Sequence, residues 1–574
     1  MERRLSLRIK WVLMLALVIS PMLTAAPAAA EPWKFGVMGD TQWTCPTDPG
    51  GDNPNSVSGS IIEQINPQFI NAGVKFVIQV GDLTDNGSDA GIIARAAAAR
   101  PLIDAGIGFF PMRGNHETIG KPPNDYAIPA FRKNFPQTLS GTFKKSNGKK
   151  FHVGSNFKSP VSVSADLKGM SYSFDFGQPG DSVRFVILDN WAAPSKNAVA
   201  AGYNFGYSIG DQLSWLAGRL DKKTRHTDHA LVLSHQPLIA EEHQDSPFAG
   251  FTNADPEAQN AFFACLKQNE VNYYISGHDH IHQRSIVAGP DGASSVHELI
   301  CASDSSKFYS PKPLDDPKWF GQKVRETSIA QDRARIGYYI FTVDGPKVIV
   351  DYYADTTGNW LSDAGYPQGP SGSGPHVTPP LNFAKRETWG YSLNGKEILV
   401  PQGGNYALTD DTSVAVALGG KGYIRTTASI LSGTNESTKT DGSLIATGGS
   451  TYRKLTKAVD TGWSPGRSNG PGIASDVLSL WGMTDIGTSH CETYVLSMSH
   501  DNKVKPGKIL GLVSRDSSGK WVNAVNLNTG GTTTFVSGPW NSDYGLGAYG
   551  VDPAAHTAWA VINYAGDFAV GVKY

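Results

Sequence analysis

The sequence predicts an α/β domain followed by a mainly-β domain, and three patterns indicate this order. From about residue 33 to residue 355, short apolar runs alternate with stretches of helical character, which is typical of α/β domains. Around residues 365–380 the composition changes to Gly, Pro and Ser, as in linkers. Beyond it, short β-like runs are separated by turn-rich segments, and long helical patterns are scarce. A chain of 574 residues is long enough for two such domains.

The first 30 residues have the three parts of a secretory signal. The stretch from 11 to 19 is apolar and only about half as long as a bilayer-spanning helix. Ala28-Ala29-Ala30 offers a small-residue cleavage site. The basic residues before the apolar stretch are Arg3, Arg4, Arg8 and Lys10. We therefore expect residues 1–30 to be a signal peptide, with an uncleaved anchor as the alternative. The protein would then be secreted or periplasmic, without a stable membrane span.

Charge and cysteine content limit the classes of partner and of fold. The net charge is −2, from 50 basic and 52 acidic residues, so nothing indicates nucleic acid or an anionic membrane as a partner. The four cysteines are too few for a disulfide scaffold, and their spacing does not resemble a zinc knuckle. They could form one or two bridges or be buried as small hydrophobic residues, and the sequence does not decide their pairing.

The α/β domain is predicted to span residues 31–364. Its β-like apolar runs are 33–37, 76–80, 109–112, 185–188, 230–233 and 271–275. A helix is predicted to begin at Asp255-Pro256, where an N-cap residue precedes a proline. Polar residues gather just after several of the apolar runs, and open α/β sheets usually build their sites at that end of the strands.

The linker is predicted at residues 365–380 and a β-rich accessory domain at residues 381–574. Short β-like runs in this domain include 414–418, 494–498 and 559–562, and a sandwich, barrel or propeller-like arrangement would fit them. Its sequence shows no catalytic pattern. It could bind a surface or polymer, although its tryptophans are more typical of a packed core than of a carbohydrate-binding strip.

Five short polar motifs follow apolar runs of the first domain, and together they supply the candidate metal-binding and catalytic residues. The motifs are Gly39-Asp40-Thr41-Gln42, Gly81-Asp82-Leu83-Thr84-Asp85, Gly114-Asn115-His116-Glu117, Ser234-His235-Gln236-Pro237 and Gly277-His278-Asp279-His280. Singly, a Gly-Asp pair is typical of a turn, and a histidine after a strand is typical of a hydrogen-bonded structural residue. Combined, they bring carboxylate, amide and imidazole ligands from different strands to one end of a sheet. A pair of metal ions for phosphate ester hydrolysis needs such a set, including a shared carboxylate.

In this order the motifs resemble the pattern of the calcineurin-like metallophosphoesterase superfamily, over roughly residues 33–355. The resemblance implies a two-sheet β-sandwich flanked by helices, with Asp82 bridging two metal ions. The other implied ligands are Asp40, Gln42 and His280 for one ion, and Asn115, His235 and His278 for the second. His116 would contact the substrate as a catalytic group, oriented by Asp85, whose charge would also raise the pKa of the imidazole.

Two departures from the family pattern affect the expected metals and substrates. Gln42 stands where the common pattern has histidine, and an amide oxygen is a harder, weaker ligand than imidazole. Manganese or iron are therefore candidates beside zinc. Asn86 follows Asp85 where protein serine/threonine phosphatases of the superfamily carry a phosphate-binding arginine, which argues against phosphoprotein substrates.

The sequence thus predicts a metal-dependent phosphoric ester hydrolase acting on a small phosphorylated substrate. Phosphate mono- or diesters, including nucleotides, would be cleaved by a metal-bridged hydroxide. The alternative is a catalytically weak phosphoesterase fold whose β-domain carries a binding or adhesion function. The lysine-rich insertion at about residues 138–168 is expected to overhang the site and select the substrate. Its lysines could attract an anionic substrate or form an ordinary solvated face.

Overall fold

The computed structural model describes residues 31–573 with internal gaps. The gaps are residues 46–47, 49, 119–126, 192–207, 249, 252–254, 310, 312–322, 333–334, 357–379, 394–396, 400–406, 410–425, 434–458, 465, 467–471 and 483–489. The predicted signal peptide, nearly all of the predicted linker and the β-like run at 414–418 lie outside the described residues. No helix in the described part of the chain is long and apolar enough to cross a membrane.

The first part of the chain contains strands and helices in alternation. Its strands are β1 (Trp33–Met38), β2 (Phe76–Gln79), β3 (Gly108–Pro111), β4 (Thr142–Lys144), β5 (Lys150–His152), β6 (Ser155–Lys158), β7 (Tyr172–Phe176), β8 (Val183–Leu188), β9 (His229–Ser234), β10 (Asp245–Ser246), β11 (Gly250–Phe251), β12 (Tyr273–Ser276), β13 (His282–Ala288), β14 (Ser295–Ile300), β15 (Glu326–Asp332), β16 (Gly337–Asp344), β17 (Lys347–Asp355) and β18 (Phe383–Ser392). Its helices are α1 (Gly59–Ala72), α2 (Asp89–Ala98), α3 (Arg100–Ala105), α4 (Ile128–Asn134), α5 (Ile209–Leu220) and α6 (Pro256–Gln268). All six predicted β-like runs form strands.

These strands build two large sheets. The first sheet has six strands in the order β18-β17-β16-β1-β2-β3, and the second has eight in the order β15-β13-β14-β12-β9-β8-β7-β6. β1, β2 and β3 run parallel to one another, and so do β8, β9, β12 and β14. The carboxyl ends of each parallel group therefore meet at one edge of their sheet, where the predicted motifs begin.

Aromatic side chains fill the space between the two sheets. Phe35 on β1 contacts Phe185 on β8, with ring centroids 5.0 Å apart. Phe110 on β3 stacks on Phe174 on β7 at 4.4 Å, and all four side chains are fully buried. The rings from opposite sheets interdigitate as in other sandwich cores. The predicted two-sheet β-sandwich is therefore confirmed.

Helices cover the outer faces of this sandwich. Val186 and Leu188 of β8 pack with α5 and α6, whereas Phe185, one residue away, faces the inter-sheet core, as the two-residue period of a strand requires. The side chain of Asp255 accepts a hydrogen bond from Ala258 N at 2.9 Å and caps α6. The predicted helix start is thus confirmed.

Strand β18 extends the first sheet from beyond the predicted linker. It pairs with β17 from Lys347↔Ser392 to Asp355↔Phe383, and Trp389 on it is fully buried in the main core. A domain boundary at residue 381 assigns β18 to the accessory domain, whereas its pairing joins it to the first sheet. A Gly-, Pro- and Ser-rich stretch predicts an exposed connecting loop, but it does not predict which sheet the next strand joins.

The C-terminal part is a second, all-β sandwich. Its strands are β19 (Glu397–Leu399), β20 (Ala407–Thr409), β21 (Ala428–Ser432), β22 (Asp460–Ser464), β23 (Val477–Trp481), β24 (Tyr494–Ser499), β25 (Ile509–Arg515), β26 (Trp521–Asn523), β27 (Thr534–Ser537), β28 (Ala548–Asp552), β29 (Thr557–Ile562) and β30 (Gly566–Val572). Two five-stranded sheets have the orders β21-β24-β29-β28-β27 and β22-β23-β30-β25-β26. The predicted mainly-β C-terminal region is confirmed, while its binding of a surface or polymer stays a prediction.

Most of the tryptophans and cysteines that the structure describes are buried. Trp463, Trp481 and Trp559 are at most 4% exposed, which fits the predicted packing role. The structure describes all four cysteines and joins none of them by a disulfide. Cys265 and Cys301 are buried, as expected for small hydrophobic side chains.

Candidate metal centre

All seven predicted metal ligands gather at one edge of the sandwich. Asp40 and Gln42 follow β1, Asp82 follows β2 and Asn115 follows β3. From the second sheet, His235 follows β9, while His278 and His280 follow β12. Six of the seven side chains are at most 3% exposed: Asp40, Gln42, Asp82, His235, His278 and His280. Their binding of metal stays a prediction, but their convergence is a feature of the fold.

Glycines let the strand ends approach this closely. A Cβ atom on Gly114 would lie 2.0 Å from Asp82 Oδ1, and one on Gly81 would lie 2.3 Å from His235 Nδ1. Gly81 also has a φ of +102°, a conformation that L-residues with side chains rarely adopt. These two glycines are therefore required for the ligands to meet.

Two groups of side chains have the composition and spacing of metal sites. Asp82, His235 and His278 each offer an atom within 4.8 Å of the others, and so do Asp40, Asp82 and His280. Asn115 Oδ1 lies 3.2 Å from His235 Nε2, which places the amide beside the first group. Asp82 belongs to both groups, as a bridging carboxylate must. The two groups fit a dimetal site.

Gln42 supplies an independent test of this fit. Its Nε2 donates a 2.8 Å hydrogen bond to Asp82 Oδ2. Its Oε1 is buried and has no hydrogen-bond partner among the described residues. A buried carbonyl oxygen without a partner is costly, and a metal ion beside Asp82 would satisfy it. The donor set therefore fits a hard cation next to the Asp40 group.

Neighbouring acceptors orient the three histidines. His235 Nδ1 lies 2.7 Å from the Val80 carbonyl oxygen, and His280 Nδ1 lies 2.8 Å from the Lys307 carbonyl oxygen. Both imidazoles therefore donate from Nδ1 and present Nε2 to the carboxylates. His278 is turned the other way, because its Nε2 lies 3.0 Å from Asp245 Oδ1. Acceptors behind metal-binding histidines commonly fix the tautomer in this manner.

Burial and mutual charge shift the ionisation of the cluster strongly. Burial raises the pKa of Asp40 to about 7, against the opposing charge of His235. Burial favours the neutral form of Asp82 as well, but the charges of His235 and His116 hold its pKa well below the usual range. For His235, burial lowers the pKa, but Asp82 and Asp40 raise it to about 10. Such shifts are characteristic of functional sites.

His116 lies at the mouth of the cluster next to Asp85. Its Nδ1 is 2.6 Å from the Asp85 carbonyl oxygen and 3.3 Å from Asp85 Oδ1, and its Nε2 is 3.9 Å from Asp82 Oδ2. Burial lowers the pKa of the imidazole, but the carboxylates of Asp82 and Asp85 raise it to about 9. The geometry thus contains the predicted pairing, although the main contact is to the backbone of Asp85 rather than to its carboxylate.

Several residues that support the site were not predicted from the sequence. Asp304 Oδ2 accepts a 2.8 Å hydrogen bond from Gly39 N, and Ser303 Oγ lies 3.1 Å from His280 Nδ1. The polar run that contains them follows β14, and this strand-end position is the signal that could have found them. Asp245 has no comparable signal, because it lies in the β10–β11 hairpin well after His235.

Two further basic side chains lie close to the predicted ligands. Arg113 is fully buried and forms an ion pair with Asp189, with 2.9 Å between Arg113 Nε and Asp189 Oδ2. The ring of His243 stacks on that of His278 at 3.9 Å, and its Nδ1 lies 2.7 Å from Asp279 Oδ1.

The β4–β5 hairpin of the lysine-rich insertion does not overhang the cluster. Phe143 of its hairpin packs against Gly108, at the start of β3, whereas the ligands follow the end of that strand. Lys145 Nζ donates to the carbonyl oxygen of Asp104, before β3. The expectation that this insertion selects the substrate is therefore wrong for the β4–β5 hairpin, because its aromatic residues anchor it at the opposite end of the sheet.

Fold and site together form a metallophosphoesterase-like sandwich with a candidate two-metal ligand set. Residues 34–282 match the family model described as calcineurin-like phosphoesterase. The predicted resemblance is therefore confirmed over this segment.

Comparisons with whole proteins give only distant likenesses. No curated protein matches the chain. A purple acid phosphatase from seeds of yellow lupin (Lupinus luteus) is 13% identical with a TM-score of 0.34, covering 57% of this chain and 52% of that one. PhoD is 13% identical with a TM-score of 0.39, covering 64% and 71%. GAP50, the anchor in the inner membrane complex of Plasmodium, is 18% identical with a TM-score of 0.33, covering 56% and 84%. This chain thus spans about half the length of the lupin protein, and at these TM-scores the likenesses carry no functional argument.

Proposed function

We propose that this protein hydrolyses small phosphate esters with the aid of two metal ions. The observation that carries the proposal is the position of Asp82, whose buried carboxylate belongs to both candidate ligand groups. A buried carboxylate is costly unless it is paired or coordinates a metal. A side chain shared by two ligand groups is what a bridged pair of metals requires.

Each ion has a distinct set of proposed ligands. The set for one ion is Asp40, Gln42, Asp82 and His280, and the set for the other is Asp82, Asn115, His235 and His278. The Gln42 oxygen makes manganese or iron candidates for the first position beside zinc. When bound, the two ions would neutralise charge on the phosphoryl oxygens and acidify a water molecule.

His116 is proposed to hold the proton that the leaving oxygen needs. Its Nδ1 donates to the Asp85 carbonyl oxygen at 2.6 Å, which fixes the ring and leaves Nε2 directed toward Asp82. The carboxylates raise its pKa to about 9 against the effect of burial, which favours the protonated imidazole that a general acid needs. A group of this kind contributes about 10²–10⁴-fold to a hydrolysis rate as a general acid.

The proposal is tested with p-nitrophenyl phosphate and bis-p-nitrophenyl phosphate. Metal-stripped protein should cleave neither ester, and addition of manganese, iron or zinc should restore turnover. Asn115→Ala should lose the restored activity, because it removes the amide next to His235. Asn134→Ala is the matched control, since Asn134 is half-buried on α4 and its amide donates to the Ala130 carbonyl oxygen of the same helix. Metal-independent turnover, or an Asn115→Ala variant as active as Asn134→Ala, would contradict the proposal.

We also propose that the chain is exported and acts outside the cytoplasm. The basic residues, the apolar stretch and the Ala28-Ala29-Ala30 site of the first 30 residues support export. N-terminal sequencing of protein recovered from the periplasm or the medium should begin near residue 31. Recovery of chains that begin at Met1 from the cytoplasmic fraction would contradict this proposal.

A further inference from the structure

Lys307 belongs to the segment that follows β14 and closes one side of the metal cluster. Its carbonyl oxygen accepts the hydrogen bond of His280 Nδ1 at 2.8 Å, and its N donates to Ser305 Oγ at 2.9 Å. The backbone of Lys307 is therefore hydrogen-bonded to a proposed metal ligand. This bond limits the positions that the Lys307 side chain can reach.

The side chain of Lys307 lies on an aromatic ring at the rim of the site. Its Nζ is 4.8 Å from the centroid of the Tyr309 ring, a cation–π distance. The same ring contacts His280 at 5.1 Å and His243 at 4.9 Å. The Tyr309 ring therefore lies between the ammonium group and imidazoles that line the cluster, and Lys307 and Tyr309 are both half-buried.

Lys307 forms no ion pair with a carboxylate in the described part of the chain. Other cations near the cluster are paired: Arg113 Nε is 2.9 Å from Asp189 Oδ2, and Lys323 Nζ is 2.9 Å from Glu241 Oε2. The Tyr309 ring, which contacts both the ammonium group and His280, keeps this charge at the rim of the site.

We infer that Lys307 binds a non-esterified phosphoryl oxygen of the substrate and makes the enzyme favour phosphomonoesters over phosphodiesters. The inference rests on the proposed function. A phosphomonoester carries about 1.5 to 2 negative charges at pH 7, whereas a diester carries only one. A lysine ammonium is an effective point charge for phosphate, and it stabilises the second charge, which only the monoester has.

Lys307→Gln should separate the two substrates. Loss of one charge-assisted contact should reduce kcat/KM for p-nitrophenyl phosphate about 10- to 100-fold, mainly through KM. The value for bis-p-nitrophenyl phosphate should change far less. Lys307→Arg should retain most of the monoester activity. Lys145→Gln is the matched control, because Lys145 also lies over an aromatic ring, that of Phe151 at 5.6 Å, but at the opposite end of the sheet.

Calorimetric titration of the metal-loaded protein with inorganic phosphate gives a second readout that needs no turnover. Lys307→Gln should bind phosphate about 10- to 100-fold more weakly while holding the same number of metal ions. An equal loss for both esters, unchanged phosphate affinity or loss of metal from this variant would overturn the inference. If the wild type cleaves neither ester, the proposed function is wrong, and the phosphate titration alone decides the role of Lys307.

Discussion

At the scale of single residues, hydrogen-bond acceptors next to the proposed metal ligands determine how the ligand side chains are oriented. Asp245 Oδ1 accepts the hydrogen bond of His278 Nε2 at 3.0 Å, and its Oδ2 accepts that of Gln236 Nε2 at 2.5 Å. Asp245 thereby fixes which nitrogen of His278 is available to a metal. The convergence of the proposed ligands could be predicted because these residues stand in compact motifs, whereas Asp245 reaches the site only through the fold.

We predict that Asp245→Ala weakens metal binding about 10- to 100-fold, because His278 loses the acceptor that orients its ring. Asp245→Asn should have a smaller effect, since an amide oxygen can still accept from His278. Isothermal titration with manganese or zinc measures both. Asp104→Ala, which removes exposed contacts to Ser146 far from the cluster, serves as the control. Equal affinities in Asp245→Ala and Asp104→Ala would show that Asp245 does not orient a ligand.

At the scale of elements, the site depends on tight turns that follow parallel strands. The apolar runs and the Gly-Asp and Gly-Asn motifs made β1, β2 and β3 and their turns predictable. The segment after β14 was missed because its residues Ser303, Asp304 and Ser305 form no known pattern, although their side chains bond to the same cluster. Contacts between distant segments are set by the packing of the sheets and leave little trace in local sequence.

Gly114→Ala is expected to disrupt the turn after β3. The new Cβ would lie 2.0 Å from Asp82 Oδ1 and 2.6 Å from Asp82 N, so the backbone must move, at a cost of about 1–3 kcal/mol. Urea denaturation should show this loss together with weaker metal binding. Gly218→Ala is the matched control, because Gly218 lies in α5, where an added Cβ would meet no atom within 4 Å, and should gain about 0.5–1 kcal/mol. Identical stabilities of the two variants would show that the turn tolerates a side chain.

At the scale of the whole molecule, a buried group of charges joins the two sandwiches. Arg284 on β13 is fully buried and bonds to Glu387 on β18 at 2.7 Å and to Asp460 on β22 at 2.5 Å. Glu387 also accepts from His282 Nε2 at 3.0 Å. The sequence predicted an α/β part followed by a mainly-β part. It did not predict this contact, because Arg284, Glu387 and Asp460 lie far apart along the chain and form no local motif. The C-terminal sandwich therefore packs against the first sandwich through polar as well as apolar side chains.

Glu387→Gln should destabilise the full-length protein by about 3–5 kcal/mol, because it removes one carboxylate from a buried arginine. The exposed pair of Lys222 and Glu270 offers a comparison, since Lys222 is 45% exposed and Lys222→Ala should cost only about 0–1 kcal/mol. Thermal and urea denaturation of the two variants measure the difference. A Glu387→Gln variant as stable as Lys222→Ala would mean that the buried group contributes little to joining the sandwiches.

Asp82 is proposed to bridge two metal ions, and anomalous diffraction from crystals grown with Mn²⁺ tests this bridge most directly. We predict two anomalous peaks about 3.5–4 Å apart, both in contact with the Asp82 carboxylate. One peak should also contact His280 and the other His235. The absence of any peak at this cluster, or a single peak that does not touch Asp82, would contradict the proposed dimetal centre.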